Sequence, residues 1–262
     1  MSRWRLVSLL AFLLIGSTAY GSPKDGAGFS PRDDVAGDIS AVLARALDEE
    51  KLALIVLGAN WCHDSRALVA RLDDPPLKAL IQSRFVTMLV DVGYYQYGQS
   101  VMQRFGEQIY YATPTVLVVD PRTEAVIPHP DRHQWGAAAS ISMADSVNYF
   151  REFRAPKVAP VGIDPAISRS ALEALAMVDQ FEMAQAKRVA TGYEVVGPLL
   201  AVLDQSKQKP ANFDRLWREL AAFRNGLSSD IHAHRQALQR GEKPKYSLQS
   251  LNKKYDRLSW EP

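Results

Sequence analysis

The sequence predicts an α/β domain followed by an all-α region. Two apolar runs of strand length, residues 52–57 and 85–91, carry the first half of that expectation, with helix-patterned stretches around them. A change of character carries the second half: beyond residue 167, apolar seams recur at helical spacing. At 262 residues the chain exceeds one typical domain.

The elements follow in order. Ile39, Val42, Leu43, Ala46 and Leu47 give one apolar helical face, which Asp38 is placed to cap. The apolar run 52–57 then ends in Gly58-Ala59-Asn60-Trp61, and Cys62 follows where strand hands over to helix. At that position unpaired backbone N–H groups and the helix dipole favour negative charge, and so thiolate over thiol. Pro75-Pro76 breaks or restarts the next helix. Residues 85–91 give a second strand and 99–105 a short helix. Val116–Val119 is apolar, the turn 120–124 leads to a short edge strand at 125–128, and 129–133 reads as proline-punctuated loop. A helix is expected over 137–153. Three prolines, Pro156, Pro160 and Pro165, mark a linker. Seams at 172–181, 196–203 and 213–223, with a further stretch at 246–260, describe a small helical bundle. It buries its seams on itself or on the first domain, or serves as a dimer or partner contact.

Trp61-Cys62-His63-Asp64-Ser65 resembles the W-C-x-x-C site of thioredoxin-like proteins, with Ser65 in place of the second cysteine. Ala112-Thr113-Pro114-Thr115 is similar to the family's cis-proline loop. The resemblance spans residues 39–153 and implies a thioredoxin-like fold, a central mixed sheet flanked by helices. It implies a nucleophilic role for Cys62, a hydrogen-bonding role for Ser65, and Pro114 as the cis-proline that presents backbone to a bound cysteine-containing segment. Trp61, His63, Asp64 and Thr113 border that site, and Tyr95 and Tyr111 could line a groove beside it. The alternative for aromatic clusters of this kind is a covered core edge with the hydroxyls in water. Val56 and Thr87 stand where close relatives of thioredoxin carry a buried acid and a lysine, so standard disulfide reduction is not expected.

Composition narrows the chemistry. The chain has one cysteine, which excludes an internal disulfide and an internal dithiol cycle. A monothiol cycle then needs an external thiol. A protonated His63 would favour the thiolate, whereas Asp64 would oppose it. Cys62 and His63 together suit copper or zinc, but two ligands are not a site, so no metal site is assigned and no cofactor is expected. His129 with His133, and His232 with His234, are weak signals of the same kind. Against any reactive role, isolated cysteines are commonly small buried hydrophobes. Net charge of +2 argues against a nucleic-acid binder.

Arg3 and Arg5, the apolar residues 6–15 and small residues before Ala19 or Gly21 read as an export signal, so the protein is expected in the periplasm or secreted. The apolar core is short for a membrane span, and an uncleaved anchor is the alternative. The expected organisation is a signal peptide at 1–21, a lead-in at 22–37, the thioredoxin-like domain at 38–155, a linker at 156–166 and the helical extension at 167–262. Expected partners are cysteine-containing exported proteins and an external thiol reductant. A non-catalytic polypeptide-binding or assembly module is the rival reading, with metal handling through Cys62 and His63 a third.

Overall fold

The computed structural model describes residues 28–154 and 169–261. The export signal, the first part of the lead-in and the linker lie outside them. β1 (Leu52–Gly58), β2 (Phe85–Asp91), β3 (Thr115–Asp120) and β4 (Ala125–Val126) form one mixed sheet in the order β2-β1-β3-β4. β1 runs parallel to β2, with Leu54 opposite Thr87, and antiparallel to β3, with Ile55 opposite Leu117.

β1 is central and buried along its whole length. Strand residues alternate faces, so it feeds two cores. Ala53, Ile55 and Leu57 meet α1 (Val35–Asp48) and α4 (Gln99–Arg104) on one side. Leu52, Leu54 and Val56 meet α2 (His63–Asp73), α3 (Pro75–Arg84) and α5 (Met143–Glu152) on the other. Val56, in the position of the family's buried acid, is therefore plain core.

Several boundaries differ from expectation. α1 starts earlier than residue 39, because Asp34 rather than Asp38 is the cap: its side chain accepts from the Gly37 N–H at 2.8 Å. Asp38 instead pairs with Arg32 at 3.0 Å. Residues 132–140 form a 3₁₀ segment, and α5 begins only at Met143, capped by Ser142, whose hydroxyl accepts from Asp145 N–H. Pro75-Pro76 restarts the chain into α3, as expected.

The helical region consists of α6 (Arg169–Ser206), α7 (Phe213–Gln239) and α8 (Leu248–Lys254). The two seams expected as separate segments at 172–181 and 196–203 lie on one continuous helix of 38 residues. Its apolar face joins the α1/α4 core: Val189, Tyr193 and Val196 share one buried cluster with Tyr95, Tyr110 and Leu57. Gly197 permits this docking, since a Cβ there would lie 2.2 Å from the Tyr94 carbonyl oxygen. Among the described residues no helix is long and apolar enough to cross a membrane.

Candidate functional site

The local sequence around Cys62 is built by close approach. Gly58 ends β1 where a Cβ would meet the Phe29 ring at 2.4 Å and Ser65 Oγ at 2.8 Å, so only glycine fits. Phe29, in the supposed lead-in, is buried, and its backbone is tied to Asn60. Its N–H donates to Asn60 Oδ1 at 2.9 Å and its carbonyl accepts from Asn60 Nδ2 at 2.6 Å. That clamp fixes the turn before the cysteine. Phe29 falls in the expected lead-in, and a lone phenylalanine in a Gly/Pro/Ser stretch is the sequence signal of its burial.

Cys62 is the N-cap of α2 and half-buried. Its carbonyl accepts the first intrahelical bond, from Arg66 N–H at 3.1 Å, leaving the amides of the first turn directed outward around it. The thiol donates to the Thr113 carbonyl at 3.0 Å, and the Thr113–Pro114 peptide is cis. The structure thus brings Cys62 to the Thr113–Pro114 peptide, whose first residue lies 51 positions away in sequence.

Ser65 is placed differently from expectation. Its side chain is fully buried, and its Oγ accepts from Ala59 N–H at 3.4 Å. It supports the turn rather than bonding the Cys62 sulfur. Asp64 also turns away, its carboxylate accepting from Ala139 N–H at 2.9 Å. His63 is exposed at the helix start. Among the described residues no group of three or more His, Cys, Asp or Glu side chains is arranged to hold a metal.

Trp61 is held from both halves of the chain. Its indole N–H donates to the Gly93 carbonyl at 2.8 Å, and its ring meets Tyr95 at 5.2 Å and Trp217 of α7 at 6.1 Å, both edge-on. Tyr95 and Tyr111, expected along an open groove, are instead covered by α6 and α7. Tyr95 stacks on Tyr193 at 4.3 Å and accepts from Arg224 at 2.9 Å. Tyr111 donates to Glu182 at 2.7 Å, and Glu182 also pairs with Arg235 at 2.6 Å. Burial, reinforced by Glu182, pushes the Tyr111 phenol well above its ordinary 10.0. The alternative of hydroxyls in water fails for Tyr95 and Tyr111 too. Tyr97, two residues after Tyr95, is exposed.

Arg224 is the least foreseeable member of the cluster. Its guanidinium lies 5.5 to 6.0 Å from the ring centres of Tyr95, Trp217 and Tyr193. A buried cation is stabilised here by ring faces and phenol oxygens. No sequence pattern pairs an arginine on one helix with a tyrosine 129 residues away. The histidines also find specific places. His129 contacts Glu152 at 3.1 Å, while the rings of His133 and His232 meet at 5.2 Å.

These features define a class: a thioredoxin-like domain with a single cysteine at a helix start, overlaid by a helical C-terminal region. Comparison with known proteins agrees on the domain. Residues 34–121 match a family model described as thioredoxin-like. The crystal structure of a disulphide isomerase from Xylella fastidiosa Temecula1 is 28% identical, with a TM-score of 0.44; the match covers 47% of this chain and 93% of that one. No curated protein sequence matches the chain.

Proposed function

We propose that the protein carries out thiol–disulfide exchange on other proteins through Cys62. The observation that supports this most is the thiol at the α2 N-cap lying 3.0 Å from the carbonyl of a cis Thr113–Pro114 peptide. When Cys62 acts as the thiolate, its sulfur gives up its bond to Thr113 at the start of α2. The Thr113 carbonyl is then free to accept from the backbone of a bound segment.

The reaction balances with an external thiol. The Cys62 thiolate attacks one sulfur of a substrate disulfide; a Cys62–substrate disulfide forms and the other substrate sulfur leaves as thiolate. One external thiolate attacks the Cys62 sulfur and expels the substrate thiolate. A second attacks the adduct's other sulfur, the one that the first external thiol brought, and releases the Cys62 thiolate and an external disulfide. Two external thiols are oxidised and one substrate disulfide is reduced. Ser65 cannot replace either thiol, because an alcohol does not resolve a disulfide. If instead the freed substrate thiolate attacks a second disulfide of the substrate, and the thiolate released there attacks the Cys62–substrate disulfide, Cys62 leaves as thiolate and the substrate's disulfides are rearranged with no net reduction.

Within this reading the substrates are oxidised or mispaired cysteines of exported proteins, and the protein acts in the periplasm or outside the cell. The export-like N-terminus supports that setting, in which disulfides persist. Of the aromatics that a purely binding module would use, Tyr95 and Tyr111 are covered by α6 and α7.

The test is alkylation of the mature protein, with Cys62→Ser as the blank. Cys62 is expected to react with iodoacetamide at neutral pH at least about tenfold faster than a free cysteine peptide. It should also form trapped mixed disulfides with oxidised protein substrates. A thiol that reacts no faster than the free peptide and yields no adduct overturns the proposal.

A further inference from the structure

The helical region does more than cover aromatics; with the domain it walls a cavity that is open on one side. The space is about 380 Å³, within the lower range of ligand sites, and lies between the loop that carries Pro114, the 3₁₀ segment and α7. Ala112, Pro114 and Thr115 line it, and Thr113 between them is the residue whose carbonyl holds the Cys62 sulfur. The cavity therefore shares a loop with the thiol.

Its α7 wall has a pattern. Asn225, Ser228, Ser229 and His232 sit at i, i+3, i+4 and i+7, one polar helical stripe, with Ser228 buried, His232 half-buried, and Asn225 and Ser229 exposed at the open side of the cavity. The apolar seam of the same helix, Leu216, Leu220, Phe223, Leu227 and Ile231, is adjacent and buried. Ser228 is used internally, paired with His133 Nδ1 at 3.1 Å. The side chains of Asn225, Ser229 and Gln134 carry no hydrogen bond to another described residue.

Charge selects among ligands. The charged side chains of the lining are Arg132 and Glu107, and they neutralise each other through contacts of 2.5 and 3.1 Å. His133 is exposed as a residue, yet its ring is packed against His232 and Ser228. Loss of hydration there, with Arg132 beside it, pushes it down to about 4, so it is neutral at pH 7. The cavity presents amides, hydroxyls and neutral imidazoles above an apolar floor of Ile109 and Pro114. Side-chain amides donate and accept together, which suits a polypeptide backbone with uncharged side chains.

We propose that this cavity is a substrate subsite built jointly by the domain and α7, taking the uncharged polypeptide segment that flanks the target cysteine. The proposal rests on thiol exchange at Cys62. It makes α7 a determinant of which cysteines are attacked, with Asn225 and Ser229 as contact residues at the mouth.

The experiment compares two disulfides on the full mature chain. One is a short peptide whose single cysteine has neutral polar neighbours, presented as a mixed disulfide with 2-mercaptoethanol; the other is 2-hydroxyethyl disulfide. The readout is the ratio of the two rates of Cys62 adduct formation. Ser229→Trp fills the mouth and is expected to lower the ratio about tenfold or more. Asn225→Ala, which adds no bulk, is expected to lower it about threefold, the effect of one neutral hydrogen bond. Peptides with lysine or aspartate beside the cysteine are expected to react about fivefold more slowly than the neutral one, because either charge would be desolvated without a partner. A reactive Cys62 whose ratio is unchanged in both variants overturns the subsite alone, as does a preference for a charged peptide. A Cys62 inert to hydroxyethyl disulfide overturns the thiol-exchange reading and this proposal with it.

Discussion

Replacing Gly197 with alanine separates local preference from tertiary packing, because the two predict opposite signs. Gly197 lies in the interior of α6, where alanine is favoured by about 1 kcal/mol. On that ground alone the variant would be more stable. The new Cβ, however, would sit 2.2 Å from the Tyr94 carbonyl oxygen, about 1.2 Å inside the 3.4 Å of ordinary contact. The obstacle is backbone, not the end of a flexible side chain, so α6 must back away from the 94–95 segment. A retreat of that size opens the Tyr95–Tyr193 stack, now 4.3 Å between ring centres, and forfeits much of its dispersion energy. Overpacking of this kind costs about 1–3 kcal/mol, and an immovable neighbour places it near the top of that range. Subtracting the helical gain leaves a net loss of about 2 kcal/mol. For a chain of this length that lowers the thermal midpoint by about 4–8 °C. Differential scanning calorimetry of the mature wild type and Gly197→Ala checks it. An equal or raised midpoint refutes the claim that α6 is docked on the Tyr94 backbone.

Two further outcomes follow from the same interface. Tyr111→Phe removes the hydroxyl that donates to the buried Glu182 carboxylate while leaving Arg235 in place. It should cost about 1.5–2 kcal/mol in urea unfolding with an unchanged slope, and a loss below about 0.5 kcal/mol would remove that bond from the interface. At the C-terminus, hydrogen bonding from Arg188 holds the Glu261 carboxyl below its ordinary 4.5. A depressed carboxyl contributes stability that is complete above the unfolded value and lost as pH falls through the folded one. Amide exchange at Leu258, whose N–H donates to Glu261 at 3.1 Å, should therefore stay slow down to about pH 4.5 and accelerate below it. Arg188→Ala should abolish that acid step, and its persistence would assign the step to another group.

What could be read in the sequence was whatever is encoded locally. The apolar runs of β1 and β2 are long, uninterrupted and bounded by turns, so they declared themselves. Trp61-Cys62 and Thr113-Pro114 were legible because each is a compact motif, and the fold brings them into contact. The cap of α1 was misread because Asp34 and Asp38 are equivalent in sequence, and only the Gly37 contact distinguishes them. Ser65 is held in the turn: a hydroxyl three residues after a cysteine can reach either the sulfur or the turn, and beside the close approach at Gly58 it accepts from Ala59 N–H. The aromatic cluster was visible, but its cover was not. Tyr95 finds its partners at Tyr193, Trp217 and Arg224, pairings set by how two helices cross a sheet rather than by any short-range pattern.

The contacts that position the thiol show why the two halves act as one unit. Trp61, immediately before Cys62, is packed against Tyr95 and against Trp217 of α7. Thr113, which receives the Cys62 thiol, follows Tyr110-Tyr111-Ala112. In that stretch Tyr193 of α6 donates to the Tyr110 carbonyl at 2.6 Å and Tyr111 reaches Glu182. Each aromatic pair contributes about 0.5–1.5 kcal/mol beyond its buried area, so docking of the extension and the placing of Cys62 draw on the same free energy. By linkage, a polypeptide segment held jointly by the Pro114 loop and α7 must stabilise the docked extension by as much as docking strengthens its own binding. On the proposed reading the extension is a wall of the site, and substitutions on α6 or α7 should alter the rate of exchange at Cys62 without touching it.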